Sequence, residues 1–279
     1  MDWWHALILG LVEGLTEYLP VSSTGHLLFT QRLLGIPQSE VADAFAICIQ
    51  AGAIVAVLGL YFRRVKDMAL GVVGKNPNGL KLAILLVVAF LPAVAGGLFL
   101  EEPIKTYLFG GEKWGLWPIV IAWLVGGIAI LGVSFYRKAH QKSPRTGLDL
   151  QDLTFRMALI IGIFQCVAMW PGTSRSLMTI ISGVLVGLSL PAAVEFSFLL
   201  GVITLGAATC KDAVEFGPKM LEAYGATNLF LGFIAAWLSA VLAVRWMVAY
   251  LNRNGMAVFG YYRILIGILA TFYLLYGIP

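Results

Sequence analysis

Long apolar stretches alternate with short polar ones along the 279 residues of this chain. A helix needs about 20 apolar residues to cross the hydrocarbon core of a membrane. Stretches of about that length occupy residues 43–62, 82–100, 115–136, 191–210, 226–248 and 257–276. We therefore predict six membrane-crossing helices. The last contains Arg263, which can extend its charged end to the membrane surface if it lies near the helix start.

Two further apolar regions are interrupted. Residues 3–34 are broken at Leu19-Pro20, and residues 155–188 are broken at Trp170-Pro171-Gly172. Each half of these regions has about 15 residues and would form a helix of about 22 Å, which is too short to cross a membrane comfortably. Proline ends a helix because it lacks the backbone donor and clashes with the preceding turn. We predict a re-entrant hairpin of two half-helices in each region.

Composition agrees with this pattern. Hydrophobic residues make up 59% of the chain and charged residues 12%, whereas soluble proteins carry about 25% charged residues. This balance excludes a disordered chain, a basic nucleic-acid-binding domain and an ordinary soluble enzyme, so we expect no nucleic acid as a partner. The three cysteines are odd in number and show no CxxC spacing, which indicates buried, inert thiols.

Charge in the loops predicts the orientation of the helices. Segments 63–81 and 137–156 are rich in Lys and Arg, which is typical of cytoplasmic loops. Segments 101–113 and 211–222 are slightly acidic and are predicted to lie outside. Arg245 and Arg253 then mark a third cytoplasmic side, and both termini are predicted to lie outside.

The two interrupted regions resemble each other. Leu19–Thr24 precedes Trp170–Arg175 by 151 residues, and at the same offset Phe45 precedes Phe196. Each half of the chain then contains one re-entrant hairpin and three crossings. Three is an odd number, so the second half begins on the opposite side of the membrane. Broken helices in such inverted repeats usually form the binding site near the bilayer midplane.

These observations predict an all-α polytopic membrane protein. Residues 1–279 would form a single integral membrane domain with two inverted-topology repeats, residues 1–136 and residues 155–279. Each repeat would consist of a re-entrant helix hairpin and three transmembrane helices.

Glu13 and Glu17 are unexpected in the apolar first half-helix, because both carry a charge. They are four residues apart and share a helix face, where like charges repel each other. Charges inside a membrane are costly. One interpretation is that both extend into a water-filled mouth. The other is that they share a divalent cation, because paired carboxylates supply the hard oxygen ligands that Mg²⁺ and Ca²⁺ prefer.

Hydroxyl groups and a histidine follow the first break. One of Ser22, Ser23 and Thr24 is predicted to cap the second half-helix, whose free N–H groups favour an anion. Capping explains one hydroxyl but not three. His26 is three residues after Ser23 and can share its helix face. A serine, a histidine and a glutamate pair beside a helix N-terminus indicate catalysis.

The second break carries an arginine in the same setting. Arg175 is flanked by Thr173, Ser174 and Ser176, and Thr179 follows one turn later. Its guanidinium matches phosphate oxygens in a bidentate fashion. The acids and the histidine would therefore come from one half and the arginine from the other, a combination that favours phosphate or pyrophosphate.

Two residues in apolar spans are weaker candidates. Glu195 follows Pro191 by four residues and would line the same cavity. Gln50 is equally well explained by interhelical hydrogen bonding.

Two motifs resemble a known family. Residues 13–17 (EGLTE) with residues 19–26 (LPVSSTGH), and residues 171–179 (PGTSRSLMT), are similar to the two signatures of the bacterial undecaprenyl-pyrophosphate phosphatases of the bacitracin-resistance type. The second signature, PGxSRSxxT, is matched at every fixed position. The resemblance covers nearly the whole chain, including its length and the order of its spans.

This resemblance implies removal of the terminal phosphate from a C55 polyprenyl pyrophosphate. The product is the lipid monophosphate that carries cell-wall precursors. The family is divalent-cation-dependent, and its site opens to the outer face of the bacterial inner membrane. Glu13 and Glu17 would hold the cation and Arg175 would neutralise the phosphoryl group. Ser23 or water would attack, with His26 or Glu17 as base. The remaining candidates would bind substrate: Ser22, Thr24, Thr173, Ser174, Ser176, Thr179 and Glu195.

A lipid-phosphate transporter or flippase is the alternative, because inverted repeats with broken helices are typical of transporters. A carrier would need the arginine and the helix N-termini but not the pair Ser23 and His26. The residues leave open the oligomeric state, a homodimer included, and the preferred cation. They also leave open the substrate chain length.

Overall fold

This computed structural model describes residues 1–104, 115–140 and 142–277, with residues 100–104 described as backbone only. The described part of the chain is helical and contains no β-sheet. Its helices are α1 (Trp3–Thr16), α2 (Ser23–Leu33), α3 (Glu40–Leu60), α4 (Phe62–Val72), α5 (Pro77–Ile104), α6 (Trp117–Ala139), α7 (Phe155–Cys166), α8 (Arg175–Leu185), α9 (Leu190–Asn254) and α10 (Ala257–Tyr276).

Five described helices, namely α3, α5, α6, α9 and α10, are long and apolar enough to cross a membrane. These helices make the chain a multi-pass α-helical membrane protein. They coincide with the predicted spans, except that the stretches 191–210 and 226–248 both lie within the 65-residue α9.

The segment 211–222, which was predicted to be an external loop, is helical, because α9 continues through it. Within α9 the residue that leaves the helical conformation is Gly225, with φ of 74° and ψ of 154°. The charged residues explain the difference. Lys211, Glu215 and Lys219 are strong helix formers, and their opposite charges follow each other at the i, i+4 spacing that supports a helix.

The other predicted loops are partly helical. In segment 63–81, α4 is a short helix that exposes Phe62 and Val72. In segment 101–113, α5 continues to Ile104, and residues 105–113 lie outside the described residues. In segment 137–156, Arg137 donates hydrogen bonds to the Ser143 carbonyl at 2.7 Å and the Thr146 carbonyl at 3.2 Å.

Both interrupted regions are broken as predicted. The first consists of α1 and α2, separated by a turn at residues 17–22. The second consists of α7 and α8, separated by the short 3-10 helix Val167–Met169 and a turn at residues 170–174. Each broken helix is therefore two short pieces joined at a proline-containing turn.

The chain divides into two compact units that interleave along the sequence. The first unit comprises Met1–Leu19, Ser23–Ala83 and Phe198–Met247, and the second comprises Pro20–Ser22, Ile84–Ser197 and Val248–Pro279.

In the first unit, α1 packs closely against the second half of α9. A Cβ atom added at Gly14 would collide with the Ser239 hydroxyl and the Ala236 carbonyl. Close backbone approach through small residues is the usual way in which membrane helices associate. The buried core beside this contact consists of Ala6, Leu9, Leu27, Ala44, Phe45, Ile49 and Met220.

In the second unit, α6 packs along α10, and α7 packs against α8. The second break lies against α6. A Cβ atom at Gly172 would be 2.7 Å from the Cα atom of Ile119, and the residue has φ of 87°. Glycine meets both requirements, because it has no Cβ and tolerates positive φ.

Candidate active site

Glu13 and Glu17 are both buried in the first unit, at 1% and 6% exposure. Glu13 lies in α1, and Glu17 follows the last residue of that helix and continues its hydrogen bonding, with its N–H bonded to the Glu13 carbonyl. Both acids therefore lie one helical turn apart, directly before the first break. This burial disfavours the interpretation that they line an open, water-filled mouth.

The first break brings a hydroxyl to one of these acids. The Ser23 hydroxyl, at the start of α2, donates a hydrogen bond to the Glu17 carboxylate. A carboxylate that accepts such a bond is placed to take the proton of that hydroxyl. His26 is half-buried on the same helix, and Thr24 is exposed. Of the two candidate bases, Glu17 accepts a hydrogen bond from Ser23.

A serine with left-handed backbone conformation precedes each of the two half-helices that follow a break. Ser22 has φ of 74° and Ser174 has φ of 78°. For residues with a Cβ atom this conformation costs roughly 1–2 kcal/mol, and such strain is concentrated at functional sites. Ser174 caps α8, because its hydroxyl accepts a hydrogen bond from the Leu177 N–H at 3.2 Å.

Arg175 begins α8 within a network of hydroxyl and carbonyl groups in the second unit. Its Nη1 donates to the Ser197 carbonyl at 2.9 Å. The Thr179 hydroxyl lies 2.7 Å from the Ser197 hydroxyl, and those of Ser174 and Ser176 are 2.9 Å apart. Arg175 and Thr179 of the second signature thus both contact Ser197 of α9, and Ser174 and Ser176 contact each other.

Ser197 is a member of this network that sequence analysis missed. Its signal was a small hydroxyl residue in an otherwise apolar stretch, two residues after the candidate Glu195. Two residues on a helix are about 200° apart around its axis, so the two side chains leave α9 in different directions. Glu195 is half-buried, and Thr173 is buried in the second break.

Arg263 does not extend to the surface of the protein but is fully buried, at 0% exposure. Its Nη2 donates to the carbonyls of Ala122 at 2.7 Å and Gly172 at 2.9 Å, and its Nη1 donates to the Pro20 carbonyl at 3.2 Å. Helix breaks leave backbone carbonyls without helical partners, and each must be satisfied when buried. A guanidinium has five donors and can satisfy several of them at once.

Among the residues that the structure describes, no group of three His, Cys, Asp or Glu side chains is close enough to hold a metal ion. Glu13 and Glu17, the two acids of the predicted cation site, are both buried. Two carboxylates suffice for Mg²⁺, which keeps several waters and is completed by substrate phosphates rather than by an all-protein cage.

Comparison with known proteins agrees with the motifs. The model of the family described as bacitracin resistance protein BacA matches residues 6–269. The undecaprenyl-diphosphatase of Sorangium cellulosum is 44% identical over 96% of this chain and 85% of its own length. Undecaprenyl-diphosphatase 2 of Rhodospirillum rubrum is 42% identical over 95% of this chain and 93% of its own length. Undecaprenyl-diphosphatase 1 of Chromobacterium violaceum is 41% identical over 95% of this chain and 94% of its own length. With these matches along nearly its whole length, the chain belongs to the BacA family of bacitracin resistance proteins.

Proposed function

We propose that this protein is an undecaprenyl-diphosphatase that hydrolyses the terminal phosphate of undecaprenyl pyrophosphate. The products are undecaprenyl phosphate and inorganic phosphate, so the lipid carrier returns to cell-wall synthesis, and bacitracin resistance follows from this recycling. Membership of the BacA family and the names of the three relatives support this activity over the alternative of a transporter or flippase.

The observation that carries the proposal is the hydrogen bond from Ser23 to Glu17. A lipid carrier needs no hydroxyl that donates to a buried carboxylate. A phosphatase can use such a hydroxyl, because a serine becomes nucleophilic when an adjacent base accepts its proton.

The chemical step is a phosphoryl transfer. The Ser23 oxygen bonds to the terminal phosphorus as the bridging P–O bond breaks, and undecaprenyl phosphate leaves. Glu17 accepts the serine proton. Water then hydrolyses the phosphoserine and releases inorganic phosphate. In the alternative, Ser23 only binds the phosphate, and Glu17 or His26 activates water for a direct attack.

Arg175 is assigned to the phosphoryl oxygens. Phosphoryl transfer depends mainly on positioning and on neutralising charge. Arg175 supplies a permanent charge, and its bond to the Ser197 carbonyl orients the guanidinium. Ser174, Ser176 and Thr179 hold the surrounding turn, and the positive end of the α8 helix dipole favours an anion. Ser22, Thr24, Thr173 and Glu195 remain candidates for substrate binding.

Glu13 and Glu17 are assigned to a divalent cation, Mg²⁺ or Ca²⁺. Their burial and their hard oxygen ligands support this assignment. When bound, the cation would offset the charge of the pyrophosphate and polarise its oxygens. Glu17 would then serve both the cation and Ser23, so its loss should cost more than the loss of Glu13.

The proposal includes the inverted repeat, with residues 1–136 and 155–279 as its halves, and a location in the bacterial inner membrane with the site open to the outer face. The matching left-handed serines before α2 and α8 support the repeat. They are 152 residues apart, one more than the offset at which Pro20 and Pro171 align. In a cysteine-free background, cysteines at Lys75 and Thr146 should be shielded from an impermeant thiol reagent in intact cells. A cysteine at Glu215 should react. Labelling at Lys75 from outside would contradict this orientation.

The activity is tested by incubating the purified protein with undecaprenyl pyrophosphate and Mg²⁺. We expect one inorganic phosphate for each undecaprenyl phosphate formed. Ser182→Ala is the matched control for hydroxyl loss, because the Ser182 hydroxyl donates to the Met178 carbonyl on its own helix. Transport of the intact pyrophosphate across vesicles without phosphate release would favour the carrier instead.

A further inference from the structure

Arg263 donates to backbone carbonyls at both helix breaks. One bond goes to Pro20, two residues before the left-handed Ser22, and another goes to Gly172, two residues before the left-handed Ser174. A third bond and a long contact of 3.4 Å anchor the guanidinium to α6, at the carbonyls of Ala122 and Trp123. One buried cation therefore links the two breaks to one rigid helix.

The surroundings of Arg263 are shaped for its guanidinium. A Cβ atom at Gly126 of α6 would lie 2.5 Å from Nη2 and 2.8 Å from Nε. Trp123, on the same helix, adds a second bond to the first break through its indole N–H, which donates to the Val21 carbonyl at 3.1 Å. The second break has a corresponding bond elsewhere, from the Trp170 indole to the Pro118 carbonyl at 3.0 Å.

We propose that Arg263 is a positioning residue, which fixes the N-termini of α2 and α8 and through them the directions of Ser23 and Arg175. The roles of Ser23 and Arg175 rest on the proposed function, whereas the locking of the two breaks does not. Catalytic groups must be held within a fraction of an ångström of their productive geometry, and a displacement of about 1 Å can cost about 100-fold in rate. A guanidinium that satisfies carbonyls at both breaks supplies this constraint.

Arg263→Lys tests the proposal because it keeps the charge and removes the planar guanidinium with its several N–H donors. A lysine ammonium is a single point with three donors and cannot span four carbonyls. We expect kcat to fall about 100-fold while KM changes less than about 3-fold. In hydrogen–deuterium exchange, amides at residues 21–24 and 172–175 should exchange faster, and those of α9 should not. The exposed Arg245 on α9 provides the control, Arg245→Lys.

Two milder variants leave Arg263 in place. Gly126→Ala should displace the guanidinium and raise exchange at both breaks. Gly132→Ala is its control on the same helix, because a Cβ there meets nothing within 4 Å. Trp123→Phe removes the donor to Val21 and should raise exchange at residues 21–24 only.

Unchanged exchange at both breaks in Arg263→Lys and Gly126→Ala would overturn the proposal. So would faster exchange throughout the second unit, which would indicate a general structural role. If the wild-type protein released no phosphate, the proposed function would fail, and the exchange pattern would still decide the role of Arg263. If Arg263→Lys did not fold, Gly126→Ala would decide it.

Discussion

At the first helix break Ser22 has φ of 74° directly before α2, and at the second Ser174 has φ of 78° directly before α8. Arg263 donates to a carbonyl two residues before each of them. The residue that begins the helix differs, however: Ser23 at the first break and Arg175 at the second. The same backbone arrangement thus presents a hydroxyl in one place and a cation in the other.

The helices before the two breaks differ in the same way. Glu13 and Glu17 lie at the end of α1, whereas the positions 152 residues later hold Gln165 and Met169. Gln165 is buried like Glu13, so the matched position is polar but uncharged. In the proposed repeat, the two breaks would therefore carry different chemistries, acid and nucleophile at the first and anion binding at the second. Substitutions at matched positions can test this division.

The largest effect is expected at the second break. Arg175→Ala should lower kcat about 10³- to 10⁵-fold, the range for arginines that stabilise a transferring phosphoryl group. Removing a charge from a membrane helix should not impair insertion. Phosphate release is the measurement, and Arg245→Ala, at an exposed position of α9, is the control. An Arg175→Ala enzyme with normal turnover would show that the second break does not bind the anion.

At the first break, Ser23→Ala should lower the rate by more than about 100-fold if Ser23 is the nucleophile. A lost hydrogen bond to a charged group costs about 1.5–3 kcal/mol, roughly 10- to 100-fold in rate. Mass spectrometry of the quenched reaction should also find phosphate on Ser23. If the variant keeps more than about a hundredth of the wild-type rate, Ser23 binds substrate and water attacks.

The metal dependence of the enzyme should distinguish the two acids of the first break from the second break, which has none at the matched positions. Glu17→Gln and Glu13→Gln should each raise the Mg²⁺ concentration needed for half-maximal rate, because each removes one charged ligand. Glu17→Gln should also lower the maximal rate, because Glu17 accepts the bond from Ser23. Glu215→Gln, an exposed change in α9, is the control. Unchanged Mg²⁺ titrations in both variants would show that this pair does not bind the cation.

The sequence predicted the positions of both breaks, because proline excludes helix there. It did not predict the helix at residues 211–222, because a charged segment between two apolar stretches fits a loop as well as a helix that continues beyond the membrane. It also did not predict the burial of Arg263. The burial of an arginine depends on which carbonyls surround it, and those of Pro20, Ala122 and Gly172 come from three distant parts of the chain.

The choice of capping serine shows the same limit. Hydroxyl residues after a break predict a cap, but Ser22 to Thr24 and Thr173 to Ser176 offer several. Which serine takes left-handed φ depends on how the turn before it is held, a tertiary property that local sequence does not specify.

The smallest effect concerns the backbone alone. Ser174→Gly removes the cap on Leu177 but relieves the left-handed conformation. A cap replaced by glycine costs only a few tenths of a kcal/mol, and the relief is worth roughly 1 kcal/mol. The variant should therefore be as stable as the wild type or slightly more stable. Ser174→Ala loses the cap and keeps the strain, so it should be about 1 kcal/mol less stable.

The free energy of unfolding in an SDS titration compares the two variants, and the same pair at Ser22 extends the test to the first break. Glycine should exceed alanine in stability at both positions, whatever either variant does to activity. If alanine were the more stable substitution at Ser22 but not at Ser174, the two breaks would not share their backbone conformation. The repeat would then be limited to the sequence motifs.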